Sequence, residues 1–259
     1  MEENKQLIEP KGSIIEQYVD WWKNGEAKSV DIELFTNRQT FNSSDANIYF
    51  NDLNAGELLL DSAFRRLSSD DLYATQTAVI LLDKIYSTQL RTPLITANLI
   101  HDEIIHGLLD DIKANKATEE ELALTVDRIA SVIKRHKNCA PKKHITFIYS
   151  FATKFCSRIC PKEYPVFDGY VAYLLNYYVS PVNDVKLFGN YALFVNTYKQ
   201  FINKYALGGY SYQQIDRFLW TYGKALSKFA ETENAKNKTN RDYEKLSYKA
   251  DVTYKPPKG

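Results

Sequence analysis

One periodicity runs through most of this chain. Apolar residues return every three or four positions, the spacing that gathers them on one face of an α-helix. Val171, Leu174, Leu175 and Tyr178 keep it, as do Phe194, Tyr198, Phe201 and Tyr205, and then Ile215, Leu219, Tyr222, Leu226 and Phe229. Ala97, Ile100, Ile104, Leu108 and Ile112 form an earlier stripe. Leu122, Val126, Ile129 and Ile133 form another, opened by a capping box of Thr118 and Glu121. From Asp71 the segment DLYATQTAVILLDKIYSTQL is apolar almost without a break, which predicts a helix buried on most sides. Ser13 and Glu16 predict a capping box that opens a helix through IIEQYVDWW. Residues 29–53 are less regular, and NRQTFNSSDAN reads as a loop. Strand-like alternation is almost absent, so the chain is expected to be all-α.

The 259 residues suffice for one sizeable core or two small helical lobes. An apolar content of 44% with 25% charged residues belongs to a folded soluble protein. Residues 1–70 are expected to be N-terminal helices packed on a helical core at 71–233, and 234–259 a basic polar tail. The start, MEENKQLIEPKGS, is acidic and polar rather than a signal peptide. No apolar run approaches the roughly 20 residues that cross a bilayer. Cys139, Cys156 and Cys160 include no CxxC pair, which argues against a disulfide framework, a zinc finger or a four-cysteine cluster. Reduced thiols fit a cytoplasm. No cofactor and no metal are expected.

Charge is divided along the chain. Residues 1–127 carry 11 Lys/Arg against 23 Asp/Glu, and residues 128–259 carry 22 against 9. Between Arg128 and Lys162 there are nine Lys or Arg and no acid at all. Such a half favours a polyanionic partner, most simply nucleic acid. Just beyond this run, in YPVFDGYVAYLL, Asp168 stands where a polar loop becomes an apolar helix. On its own, a carboxylate there is an N-cap.

The surroundings of Asp168 resemble the catalytic end of the helix-hairpin-helix DNA glycosylases, the superfamily of endonuclease III and 8-oxoguanine glycosylase. In that superfamily a short loop, often Pro-Val-Asp, delivers the catalytic Asp to the start of a helix. Here Pro165, Val166, Phe167 and Asp168 fit with one residue inserted. Upstream, YSFATKFCSRIC is similar to the hairpin and its lysine, which places Lys154 at the matching position. YSTQLRTPLITANLI resembles the Ser-x-Gln turn that follows a long buried helix, with Ser87 and Gln89 matching. The likeness covers roughly residues 70–180, with the elements in the family's order. Two departures stand out. YSFA has no glycine where the family uses glycines to approach a phosphate, and only 14 positions separate Lys154 from Asp168. The sequence also resembles bacterial glycosylases that act against phage carrying modified DNA.

The resemblance implies a two-lobed helical fold and a monomer that binds double-stranded DNA in a bacterial cytoplasm, with no membrane and no obligatory protein partner. It implies that a modified base, such as a glucosylated hydroxymethylcytosine, is flipped out and its N-glycosidic bond cleaved to leave an abasic site. Asp168 would stabilise positive charge on the sugar and orient water. Lys154 would bind phosphate or, as a neutral amine, form a Schiff base that adds lyase activity. Ser87 and Gln89 would fill the gap in the duplex. Arg91, Lys142, Lys143, Ser150 and Arg158 complete the residues expected to touch DNA. The alternative is a non-catalytic helical DNA-binding module.

Other candidates read as structural. His101 and His106 are five apart and do not share a helix face as metal ligands would. Asp110, Asp111 and Glu119 to Glu121 read as solvated or capping acids. Trp21, Trp22 and Trp220 suit a base pocket but more often belong to a core.

Overall fold

The computed structural model describes residues 6–26, 29–36, 39–88, 90–105, 119–136, 145–179, 187 and 190–236. It is helical, as the periodicity predicts. In chain order the helices are α1 (Gly12–Asn24), α2 (Phe50–Phe64), α3 (Leu72–Tyr86), α4 (Pro93–Ile100), α5 (Glu119–Arg135), α6 (Ile145–Ile159), α7 (Gly169–Val179), α8 (Tyr191–Lys204) and α9 (Tyr212–Lys236). A π-helical turn, His101–Ile105, continues α4. Two short strands interrupt the pattern where a loop was expected. β1 (Asp31–Glu33) pairs antiparallel with β2 (Thr40–Asn42), placing Ile32 opposite Phe41. Three residues per strand is too short for alternation to register in the sequence.

The apolar stripes become the contact faces. Val171, Leu174, Leu175 and Tyr178 are the buried residues of α7. Ile215, Leu219, Tyr222, Leu226 and Phe229 are all buried on α9. Helix α3 exposes only Tyr73, Thr77 and Lys84 along its length. Asp71 caps it by accepting a 2.9 Å hydrogen bond from the Ala74 amide. One apolar cluster runs from Leu7 to Phe229. Within it α1 packs on α2 and α9, α3 on α2 and α4, α6 on α5, α3 and α2, and α7 on α8 and α9. The N-terminal segment is pinned to this frame by two tyrosines. Tyr178 donates to the Ile8 carbonyl at 2.7 Å, and the Tyr222 hydroxyl accepts from the Ile8 amide at 3.2 Å.

Two local expectations change, and one holds. Helix α1 opens at Gly12 with Lys11 at its N-cap and no side-chain cap, so Ser13 and Glu16 do not form the expected box. Glu16 instead accepts a hydrogen bond from the Tyr210 hydroxyl at 2.9 Å. The YSFA element lies inside the unbroken helix α6 rather than in a hairpin turn, as its apolar content and lack of glycine allow. His101 is buried and pairs with the Thr75 hydroxyl at 3.0 Å, a packing role. Thr118, His106, Asp110, Asp111 and most of the tail lie outside the described residues. No helix among the described residues is long and apolar enough to cross a membrane.

Candidate active site

A cleft of about 610 Å³ opens between α2, α3 and α6 on one side and the starts of α7 and α9 on the other. Ser87, Lys154, Arg158 and Asp168, four of the residues singled out from the sequence, all line it.

Asp168 is held there from three directions. Its backbone carbonyl accepts the first hydrogen bond of α7, from Ala172 at 2.9 Å, and its Oδ1 accepts from the Tyr170 amide at 2.9 Å. The capping role read from the sequence is therefore real, but it occupies one oxygen. Oδ2 faces the Lys154 ammonium at 3.5 Å. The preceding loop is pinned at both flanks. The Phe167 amide donates to the buried Thr153 hydroxyl of α6 at 3.1 Å, and Tyr191 of α8 donates to the Pro165 carbonyl at 2.8 Å. Phe167 itself packs edge-on between Tyr149 and Phe194. This apolar anchoring leaves the next residue, Asp168, 17% exposed at the cleft wall.

Lys154 reaches the cleft from a buried position on α6. Its ammonium donates to Ser150 at 2.9 Å and sits 5.1 Å from the Tyr86 ring centroid. Ser150, expected to touch DNA, is itself buried, and its hydroxyl accepts that bond. Arg158 is also committed. It donates to Asp61 at 2.9 Å and contacts Glu57 and the Tyr86 hydroxyl. This residue, expected to touch DNA, lines the cleft as part of an ion-pair network joining α6 and α2. Gln213 of α9 donates to the other oxygen of Glu57 at 3.1 Å, tying the two walls together.

Ser87 ends α3 in the left-handed conformation, φ 50°, and is exposed at the rim. Buried Asp83 holds the turn that follows. Its Oδ1 accepts from the Thr88 hydroxyl and the Leu90 amide, each at 2.8 Å. Arg91, just beyond, is exposed. Gln89, Lys142 and Lys143 lie outside the described residues.

The cleft also gathers residues that the sequence did not single out: Glu57, Tyr86, Asp216 and Arg217. Trp22 and Trp220 reach it too, while Trp21 packs against the core. Asp216 is the most unusual. Its Oδ1 is sealed from solvent and meets no hydrogen-bond donor among the described residues. Burial first, then the nearby Asp168 and Glu57 charges, push its carboxyl up to about 8, against the opposing pull of Lys154 and Arg217. The only sequence signal was an acid beside Ile215 on an otherwise apolar stripe. Four acids (Glu57, Asp61, Asp168, Asp216) face four cations (Lys154, Arg158, Arg217, Lys224) in the lining. With Asp216 protonated, three carboxylates face four cations, so the cleft keeps a slight positive balance although acids share its wall. Of the acid-free run, Arg135 pairs with the Glu103 carboxylate, Arg128 donates to the Glu103 backbone carbonyl, and Lys154 and Arg158 pair with acids of the cleft itself. No group of three or more His, Cys, Asp or Glu that could hold a metal occurs among the described residues.

What this arrangement offers chemically is a carboxylate beside an ammonium, under aromatic walls, in a recess large enough for a nucleotide-sized ligand. Residues 15–163 match the model of the HI_0787_N family, described as an N-terminal domain. The match covers more than half of the chain and ends before Asp168, so Lys154 lies within it and Asp168 and Asp216 lie beyond it. No curated protein and no solved structure matches the chain.

Proposed function

The chain belongs to the HI_0787_N family, and from the residues gathered in its cleft we propose that it is a DNA glycosylase of the two-lobed helix-hairpin-helix type. The observation that carries this reading is the position of Asp168. It opens a helix, keeps one oxygen free of capping, faces Lys154 and looks into a recess rather than into the core. Cleavage of an N-glycosidic bond builds positive charge on the sugar as the base leaves. A carboxylate fixed beneath C1′ stabilises that charge, because its orienting hydrogen bonds are made before the substrate arrives. Tyr86, Tyr170, Tyr212 and Trp220 supply aromatic faces against which a flipped base stacks. Ser87, on a turn braced by Asp83, stands at the rim where the opened duplex would be propped. A modified cytosine is the base we favour, and a cleft of about 610 Å³ leaves room for a base carrying an added group.

Release of free base from duplexes containing cytosine, hydroxymethylcytosine or glucosylated hydroxymethylcytosine, read by mass spectrometry, tests the proposal. The wild type should release base from a modified duplex. Asp168→Asn should abolish release and leave duplex binding nearly unchanged. Excision that survives this substitution overturns the assignment. Lys154, whose ammonium lies beside the same carboxylate, would add a second step only if it loses its proton to attack the sugar. Borohydride trapping of a covalent complex would show lyase chemistry, and its absence with active enzyme would restrict Lys154 to positioning.

One observation favours a second reading. The YSFA segment is helical, so α6 offers no glycine-rich turn for a phosphate, as a module that binds DNA without catalysis would tolerate. Binding of modified duplexes without release of base would support that reading.

A further inference from the structure

We propose that Asp216 is the general acid of this cleft, donating the proton that the departing base needs while Asp168 serves the sugar; the proposal rests on the glycosylase reading above. The geometry points to it in three ways. Asp216 lies in the lining of the same cleft as Asp168 but comes from a different helix, α9, so the two carboxyl groups can face different parts of one substrate. Its Oδ1 is buried and has no donor among the described residues, whereas Asp168 is bonded by a backbone amide and faces an ammonium. A buried carboxyl oxygen without a donor is costly when charged and acceptable when the group is protonated.

The charged and titratable groups facing it come from every neighbouring element. Asp168 at the start of α7 and Glu57 of α2 oppose its ionisation, while Lys154 of α6 and Arg217 of α9 favour it. Tyr198 of α8 also feels its charge. Burial is the largest influence, and the sum keeps the carboxyl protonated up to about pH 8. A protonated carboxyl group sharing a recess with a second carboxyl group that a backbone amide and an ammonium hold is the arrangement that splits acid and anion roles in glycoside cleavage.

The step balances as follows. The C1′–N bond breaks and its electron pair goes to the base. The Asp216 proton passes to that base, which leaves neutral, and Asp216 is left as a carboxylate. Water adds to C1′ and loses a proton to Asp168, which returns it to solvent. Asp216 is then reprotonated from solvent, so the net change is one water consumed, with one abasic sugar and one free base formed.

Two measurements on the full chain test this. In the first, ¹³C-carboxyl resonances of aspartate are followed from pH 4 to pH 9.5, the Asp216 signal being the one missing from Asp216→Asn. It should remain protonated at pH 7 and titrate at lower pH once Asp168→Asn removes the neighbouring charge. An Asp216 ionised at pH 7 overturns the proposal. In the second, base release from a glucosylated hydroxymethylcytosine duplex is followed over the same pH range. The wild-type rate should fall as pH rises through about 8. Asp216→Asn should lose roughly 10²–10⁴-fold in rate and lose that alkaline limb. Its binding to a duplex carrying a tetrahydrofuran abasic analogue should stay within about twofold. Asp216→Asn that excises at the wild-type rate, beside an inactive Asp168→Asn, overturns the Asp216 role alone. A wild type that releases no base overturns the glycosylase reading and this role with it.

Discussion

Asp216 carries a cost that can be read from stability as well as from rate. Unfolded, its carboxyl titrates near the ordinary value of 3.8, and folded it titrates at about 8. Between these limits the native state holds a proton that the unfolded chain has shed, so native stability falls as pH rises through the window and levels off above it. Asp216→Asn removes this dependence. The variant should gain on the order of 1 kcal/mol or more at pH 8, roughly 2–4 °C in Tm, and nothing at pH 4, as thermal melts at the two pH values would show. Thr153 tests the mounting of Asp168. It is fully buried and its hydroxyl accepts from the Phe167 amide. Thr153→Val strands that amide at a cost of about 1–3 kcal/mol, measurable by urea unfolding, and should lower the rate of base release by loosening the loop before Asp168.

At the scale of elements, the cleft depends on how closely α7 and α9 approach. A Cβ on Gly223 would lie 2.8 Å from the Cβ of Tyr170 and 3.3 Å from Leu174 Cδ1. Gly223→Ala should therefore shift the start of α7 and cost about 1–3 kcal/mol, a loss visible in urea midpoints. It should also weaken base release more than duplex binding, because Asp168 moves with that helix start. Much at this scale was legible in the sequence. The stripes on α7, α8 and α9 follow from 3.6-residue periodicity. The misjudged elements share a physical reason. The Ser13 box gave way because tertiary contact draws Glu16 to Tyr210 across 194 positions of sequence. YSFA was read through a family pattern, although its own residues are ordinary helix formers.

For the whole molecule, the divided charge resolves into contacts between the two halves. Arg158 pairs with Glu57 and Asp61 across about a hundred positions, with both Arg158 and Glu57 nearly sealed from solvent. Arg158→Met leaves the Glu57 carboxylate unpaired and should destabilise by about 3–5 kcal/mol, while adding Glu57→Gln should recover part of the loss in a double-mutant cycle. The same pairing limits what the basic run can give to DNA. All nine of its cations on phosphates would give log K against log salt a slope of about −8. With Arg135, Lys154 and Arg158 held in ion pairs within the protein, a slope of about −5 to −6 is expected from binding titrations. A slope near −8 would mean that these pairs open on the duplex.

The sequence by itself determined the helices, their buried faces and the place of Asp168 at a helix mouth, because periodicity and capping act over a few residues. Only the tertiary structure decided that Asp216 shares a cleft with Asp168, that Arg158 and Ser150 bond to internal partners, and that acids and cations share the cleft wall. Those outcomes depend on which side chains from distant segments meet in space and on how much water they exclude when they do, and a linear pattern records neither.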